Sequence, residues 1–285
     1  MIHIIERKDL DVDKYDACIA DSVQSRIYAF SWYLDVVTDN WDILILNDYE
    51  AVMPLPWKQK YFLKYITQPF FCQQLGVFSK EPITVKFQEK MIHSIPKKFV
   101  KTTINFNSDN FFTFKMKSKN NYLLKIENVY AENYKKFNNN RKRDLKKAIS
   151  SGLYFEENIS IKEFYDFYLL NDKNYLNHLS MQEVLQNILK LNTSVVHCYG
   201  IKSKTDLIAS VILLNDGKRI TYLVPVCSAL GKKKGAATLL VAEIIKKYKD
   251  KILDFEGAMI PGVAKFYKSF GAEIERYNVF SQSII

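Results

Sequence analysis

A chain of 285 residues, 48% hydrophobic and 25% charged, has the length and composition to bury a sizeable core, and it fits two globular domains better than one. No apolar run approaches the roughly 18 residues of a membrane span, and the acid-bearing N-terminus lacks an apolar leader core, so neither a span nor a secretory signal is expected and the cytoplasm is the expected location. The net charge of +10 comes from 35 lysines and six arginines, which suits phosphate-bearing partners or a lysine-rich solvated surface. Cys18, Cys72, Cys198 and Cys227 are far apart and show no CxxC spacing, so a disulfide framework and a metal site are both disfavoured.

In chain order, the first half predicts a strand at Ile2–Ile5 and helices at Asp13–Asp21 and Ser31–Thr38. Strands follow at Asp42–Leu46, Ala51–Leu55 and Tyr61–Ile66, then the aromatic stretch QPFFCQQLGVFS, a helix over Val85–His93, and strands at Phe99–Asn105 and Phe111–Lys115. The polar passage KMKSKNNY, residues 115–122, marks the expected boundary, giving domains of 1–118 and 119–285.

The second half predicts a strand near Tyr122–Ile126, a basic helix ending at Gly152, and helical patterns at Ile161–Tyr175 and Met181–Leu189. Three strands, Ser194–Ile201, Leu207–Leu214 and Arg219–Val226, are joined by turn-like KSKTD and NDGK and read as a meander. After it come a Lys-Lys-Lys-Gly turn, a helix from about Gly235 to Lys249, a strand Ile252–Phe255, a helix Val263–Phe270 and a last strand near Ile274–Phe280.

The segment Gly231–Ala237, GKKKGAA, stands where a strand hands over to a helix. A helix N-terminus presents unpaired N–H groups and partial positive charge, and small residues let a phosphate approach them. Gly231 and Gly235 are one residue too close for a Walker loop and no Lys-Ser/Thr follows, which disfavours nucleotide hydrolysis. An ordinary turn with solvated lysines is the plainer alternative.

The meander, the basic-Gly turn and the helix with its stripe Ala237, Leu240, Val241, Ile244 and Tyr248 together resemble the GNAT acyltransferase core. The acyl-CoA motif of that family, Arg/Gln-x-x-Gly-x-Gly/Ala, is matched by Lys232 through Ala237, with Lys in place of Arg or Gln. The segment AKFYKSFGA resembles the downstream GNAT helix and puts Tyr267 where that family often keeps a tyrosine that protonates the departing thiolate; Phe266, Tyr267 and Phe270 can equally be the apolar face of a short helix. With NRKRDLKKAISSGL and the first-half aromatic pattern, these stretches resemble the two-domain FemAB-like branch of the acyl-CoA N-acyltransferase superfamily.

The resemblance implies an α/β fold class of two GNAT-like mixed sheets flanked by helices. It implies a degenerate donor site in the first domain, the acyl donor bound in the second, and the acceptor held between them. Acyl-CoA, such as acetyl-CoA, is the implied donor, contacting Val224, Val226, Lys232, Lys234, Gly235, Ala236 and Ala237, and an amine is the implied acceptor, attacking directly without a metal. FemAB proteins instead take aminoacyl groups from aminoacyl-tRNA to build cell-envelope precursors, which makes tRNA or a nucleotide-linked precursor the alternative partner. A non-catalytic basic module on the same fold is the third possibility.

Two further features bear on the site. The basic helix carries Arg141, Arg143 and Lys147 as candidate contacts to substrate phosphates, or else presents a solvated face. Glu256 follows a strand at its C-terminal end and is a candidate base for the amine, while it or Asp254 can instead cap the loop. His178 and His197 have neither metal nor dyad spacing, and Cys227 has no histidine beside it in sequence.

Overall fold

The computed structural model describes residues 1–171, 179–257 and 259–284. Its elements are β1 (Ile2–Glu6), α1 (Val12–Asp21), α2 (Ser31–Val37), β2 (Trp41–Leu46), β3 (Ala51–Lys60), β4 (Leu63–Ile66), β5 (Phe78–Ser79), α3 (Val85–His93) and β6 (Phe99–Asn105). They continue with β7 (Lys117–Lys125), α4 (Tyr130–Lys136), α5 (Asn139–Ser150), β8 (Leu153–Glu156), α6 (Ile161–Asn171), α7 (Leu179–Leu189), β9 (Val196–Ser203), β10 (Asp206–Asn215) and β11 (Arg219–Cys227). The chain closes with α8 (Ala229–Lys234), α9 (Ala236–Lys247), β12 (Ile252–Asp254), α10 (Pro261–Lys268) and β13 (Glu273–Ser283). Local chemistry sets many boundaries: Asp11, Thr84, Asn138 and Ser228 each cap a helix by accepting from the N–H three residues on. None of the helices among the described residues is long and apolar enough to cross a membrane.

The chain forms two compact units, Met1–Asn120 with Arg276–Ile285, and Asn121–Glu275. The sequence-based division was contiguous, whereas here the end of β13 returns to the first unit and pairs antiparallel with β6. In that unit the order is β1-β2-β3-β4-β6-β13, antiparallel except for the parallel β4/β6 pair. Tyr15, Tyr28, Tyr33, Phe78 and Phe106 are fully buried in this unit, each ring stabilising by roughly 1.5–3 kcal/mol relative to exposure.

The second unit repeats the pattern. Strands β8, β9, β10 and β11 are antiparallel, β12 joins β11 in parallel, and β7 closes antiparallel on β12. Its core runs from Tyr122 and Leu124 through Ile201, Val211 and Tyr222 to the buried face of α9 and to Phe255, Tyr267 and Phe270.

The strand expected at Tyr61–Ile66 starts only at Leu63, after a Tyr61-Phe62 turn, and the last four positions of the helix expected at Ile161–Tyr175 lie outside the described residues; two further elements also differ from expectation. Phe111–Lys115 forms no strand, because its backbone donors are taken by α3 side chains, Phe111 N donating to Gln88 Oε1 at 2.8 Å and Thr113 N to Glu89 Oε1 at 2.7 Å. Its rings pack as an aromatic cluster, Phe112 lying 4.7 Å from Phe106. The expected open turn at 231–234 is a helix: Ser228 accepts from Gly231 N at 3.0 Å to start α8, and Gly235, at φ 79°, ends it.

A candidate functional site at the β11/β12 fork

Strands β11 and β12 pair through three residues only, Arg219 with Ile252, Ile220 with Leu253 and Thr221 with Asp254. Beyond them the chain leaves β11, since Phe255 N donates to the Tyr122 carbonyl of β7 at 3.0 Å. Tyr222–Cys227 therefore keep β10 on one side and have no strand on the other among the described residues. A register shift opposite Ile212/Leu213 puts an extra residue, Leu223, in β11 at this point. The result is a fork between two parallel strands, the crevice at strand C-termini where open α/β sheets take ligands.

The base of the fork is a buried polar network. Asp254, 1% exposed, accepts from Arg219 Nη1 at 2.6 Å, from Asn121 Nδ2 at 2.8 Å and from Glu256 N at 2.9 Å. Asn121 also donates to Glu275 at 3.0 Å and accepts from Gly257 N at 2.6 Å. These bonds hold Glu256 and Gly257 in left-handed conformations, φ 53° and 104°, so a half-buried carboxylate is fixed at the end of β12 in a backbone state that a non-glycine residue adopts only when its surroundings demand it. Asp254 is thus the residue that caps the loop.

Two phenols line the point of divergence. The Tyr267 ring stacks on Phe255 with centroids 4.2 Å apart and meets Tyr222 edge-on at 6.3 Å. Tyr267 is 5% exposed, so it belongs to the aromatic core as well as to the fork. Burial, reinforced by the Tyr267 phenol, drives Tyr222 well above the usual phenol range and keeps it a proton carrier. Sequence reasoning missed Tyr222, Asn121, Arg219 and Glu275; only the strand pairing brings them to Asp254 and Tyr267.

The Gly235 region is more closed than a phosphate loop. A Cβ on Gly235 would stand 2.7 Å from the Asp144 carbonyl of α5, and the Gly235 N–H donates to the Gly231 and Lys232 carbonyls. The Ala237 N–H points at the Cys227 thiol, whose pKa burial pushes up to about 11. Ala236 is buried and Ala237 half-buried. Lys232 and Lys233 are exposed on the last turn of α8, and Lys234 donates to Ser203 at 3.0 Å. Val224 and Val226 are buried in β11.

On α5 the basic residues separate into two kinds. Arg141 is engaged within the unit: it donates to Thr238 Oγ1 at 2.6 Å and to Asp144 at 2.8 Å and lies 4.8 Å over the Phe266 ring, while burial lowers its pKa. Arg143 and Lys147 are exposed. Lys232 and Lys233 of α8 are exposed as well, and α8 ends where Gly235 approaches the Asp144 carbonyl of α5. His197 is a strand residue stacked on Tyr199, and His178 lies outside the described residues.

The arrangement of the whole chain has known counterparts. The crystal structure of FemX superimposes over 97% of this chain and 96% of its own with a TM-score of 0.67 at 9% identity. The fold is that of the FemAB-like GNAT proteins. The same FemAB-like arrangement is similar to a tandem GNAT protein from the clavulanic acid biosynthesis pathway, with a TM-score of 0.54 and 8% identity over 99% of this chain and 98% of that one. It is also similar to the C-terminal domain of a candidate lysylphosphatidylglycerol synthetase from Agrobacterium fabrum, with a TM-score of 0.54 and 11% identity over 94% and 91%. No protein-family model matches the chain, and no curated protein matches it in sequence.

Proposed function

We propose that this chain is an N-acyltransferase whose second unit takes an activated acyl donor into the β11/β12 fork and passes the acyl group to an amine. The observation that carries the proposal is the parallel pair that ends after Thr221/Asp254, leaving the edge of Tyr222–Cys227 open beside Glu256 and the two phenols. An extended donor arm can lie along that edge as a strand would, with Val224 and Val226 beneath it. The amine nitrogen attacks the donor carbonyl carbon. Glu256 accepts the proton that the nitrogen sheds, and Tyr267 gives its phenolic proton to the departing sulfur or oxygen, so the bond to the leaving group breaks as a neutral thiol or hydroxyl forms. Glu256 then releases its proton to water and Tyr267 takes one up from water, which restores both groups for the next turnover.

Acyl-CoA is the first donor to consider. Lys232, exposed on α8, is the group that would meet its pyrophosphate, since Ala236 is buried and the Gly235 and Ala237 N–H groups already face Gly231, Lys232 and Cys227. Aminoacyl-tRNA is the second, favoured by exposed Arg143 and Lys147 on α5 and exposed Lys232 and Lys233 on α8, which suit a polyanion longer than one pyrophosphate. Parallel titrations with acetyl-CoA and with aminoacyl-tRNA, followed by acyl transfer to a panel of primary amines, test the proposal. Saturable binding of one donor with transfer to an amine supports it, and binding of neither contradicts it.

A further inference from the structure

The first unit ends one of its hairpins in a way that serves no core. Strands β3 and β4 pair up to Lys60 and Leu63, and a two-residue turn, Tyr61-Phe62, joins them. The two rings are 82% and 85% exposed. Tyr61 has φ 54°, a left-handed state where glycine or asparagine is the usual choice and a bulky ring is strained. An aromatic residue held at such a position with its ring in water implies that the ring itself is needed there.

Lysines dominate the charge around the tip, with Glu6 of β1 in electrostatic reach of Lys64. No Asp or Glu occurs from Ala51 to Ser79. By strand alternation Lys58 and Lys60 project from one face of the ribbon and Lys64 from the other, and Lys101, paired with Tyr65 across the parallel ladder, joins the first face. Lys58, Lys60 and Lys64 lie over the rings of Phe70, Tyr61 and Trp57, and among the described residues no carboxylate stands within ion-pair distance of them.

We infer that the β3/β4 hairpin tip is a contact for an anionic lipid bilayer, with Tyr61 and Phe62 entering the interface and the lysines meeting lipid phosphates. The dimensions agree. At about 3.3 Å per residue, amines one to three positions behind the rings sit roughly 3–10 Å back from the tip, which matches the roughly 5–10 Å that interfacial side chains penetrate below the phosphates. Ring tips and lysine stems both suit that boundary. A single-stranded nucleic acid fits less well, because the rings project beyond the amines at the end of a ribbon instead of forming a platform flanked by charge. A second copy docking tip to tip would press lysines against lysines.

Flotation of the full chain with vesicles of phosphatidylcholine, with and without phosphatidylglycerol, tests this. Binding is expected only when phosphatidylglycerol is present and is expected to weaken with salt. Tyr61→Asn with Phe62→Ser, where Asn tolerates the left-handed turn, should lower vesicle binding by about 100-fold or more while the melting temperature stays unchanged. Replacing Lys58, Lys60 and Lys64 with Gln should lower it by about 100-fold at low salt. The inference is overturned by failure of the wild-type chain to float with anionic vesicles, or by vesicle binding that either variant leaves intact. Tip-dependent binding of a single-stranded oligonucleotide without vesicle binding, or a dimer abolished by the tip substitutions, would overturn it equally.

Discussion

Arg219 and Asp254 form an ion pair at the base of the fork, Nη1 standing 2.6 Å from Oδ2 with the two side chains 12% and 1% exposed. Every other member of the network is anchored on Asp254 or on Asn121, so this pair fixes where β12 stops and where Glu256 begins. Removing one partner of a buried pair strands the other charge, and Asp254→Ala should destabilise the second unit by about 3–5 kcal/mol in urea unfolding. A loss below about 1 kcal/mol, the value of a surface pair, would mean that the network does not hold the fork.

Glu256 and Tyr267 act in the proposed reaction on charge that appears in the transition state. Glu256→Gln and Tyr267→Phe should therefore each lower kcat by about 10²–10⁴-fold with little change in donor affinity. Tyr267 also packs on Phe255, and the Phe substitution keeps that ring stack, so loss of turnover with an unchanged melting temperature separates chemistry from packing. Turnover within about threefold of wild type, well under the range for acid–base groups, would remove the residue from the mechanism.

The basic helix gives a contrast between neighbours. Arg143→Ala with Lys147→Ala should weaken an anionic donor and flatten the salt dependence of its binding, because exposed lysine and arginine release counterions on meeting phosphate. Arg141→Ala should instead lower the unfolding midpoint, since its guanidinium is bonded to Thr238 and Asp144 and packed on Phe266. Equal effects of the two changes on affinity, measured by titration at two salt concentrations, would contradict this division.

Burial holds the His197 imidazole below its ordinary range, with the nearby Lys247 adding to the effect and a bond to the Ser194 backbone opposing it. The unfolded chain takes up that proton near pH 6.5 and the folded chain only at lower pH, so the unfolded state binds more protons in between. Stability should fall as pH drops from about 6.5 towards the folded value and level off below it. Urea midpoints across this window should show a shallower slope in His197→Gln, and an unchanged slope would refute the assignment.

Much of the second unit was legible in the sequence because its signals are local. The meander strands alternate or run apolar between the turn-forming KSKTD and NDGK, α9 repeats its apolar stripe, and Gly152 and Gly271 mark ends with positive φ. The closed state of the Gly235 region was not legible. It depends on Ser228 nucleating a short helix and on Asp144, some ninety residues away, filling the space beside Gly235. Likewise nothing local in ITYLVPVC shows that Tyr222 marks the end of a parallel ladder, or that Asn121 and Glu275 will meet Asp254. Long-range pairing makes the fork, and pairing is what a single sequence shows least.

Amide hydrogen exchange along β11, with saturating acetyl-CoA and with aminoacyl-tRNA, addresses the fork most directly, because it needs no knowledge of the acceptor. One of the two donors should slow exchange at those amides of Leu223–Cys227 that β10 does not already bond, and at Glu256 and Gly257, while α3 of the first unit stays unchanged. Slowed exchange elsewhere with β11 unaffected, or no change with either donor, would contradict an acyl-donor site at the β11/β12 fork.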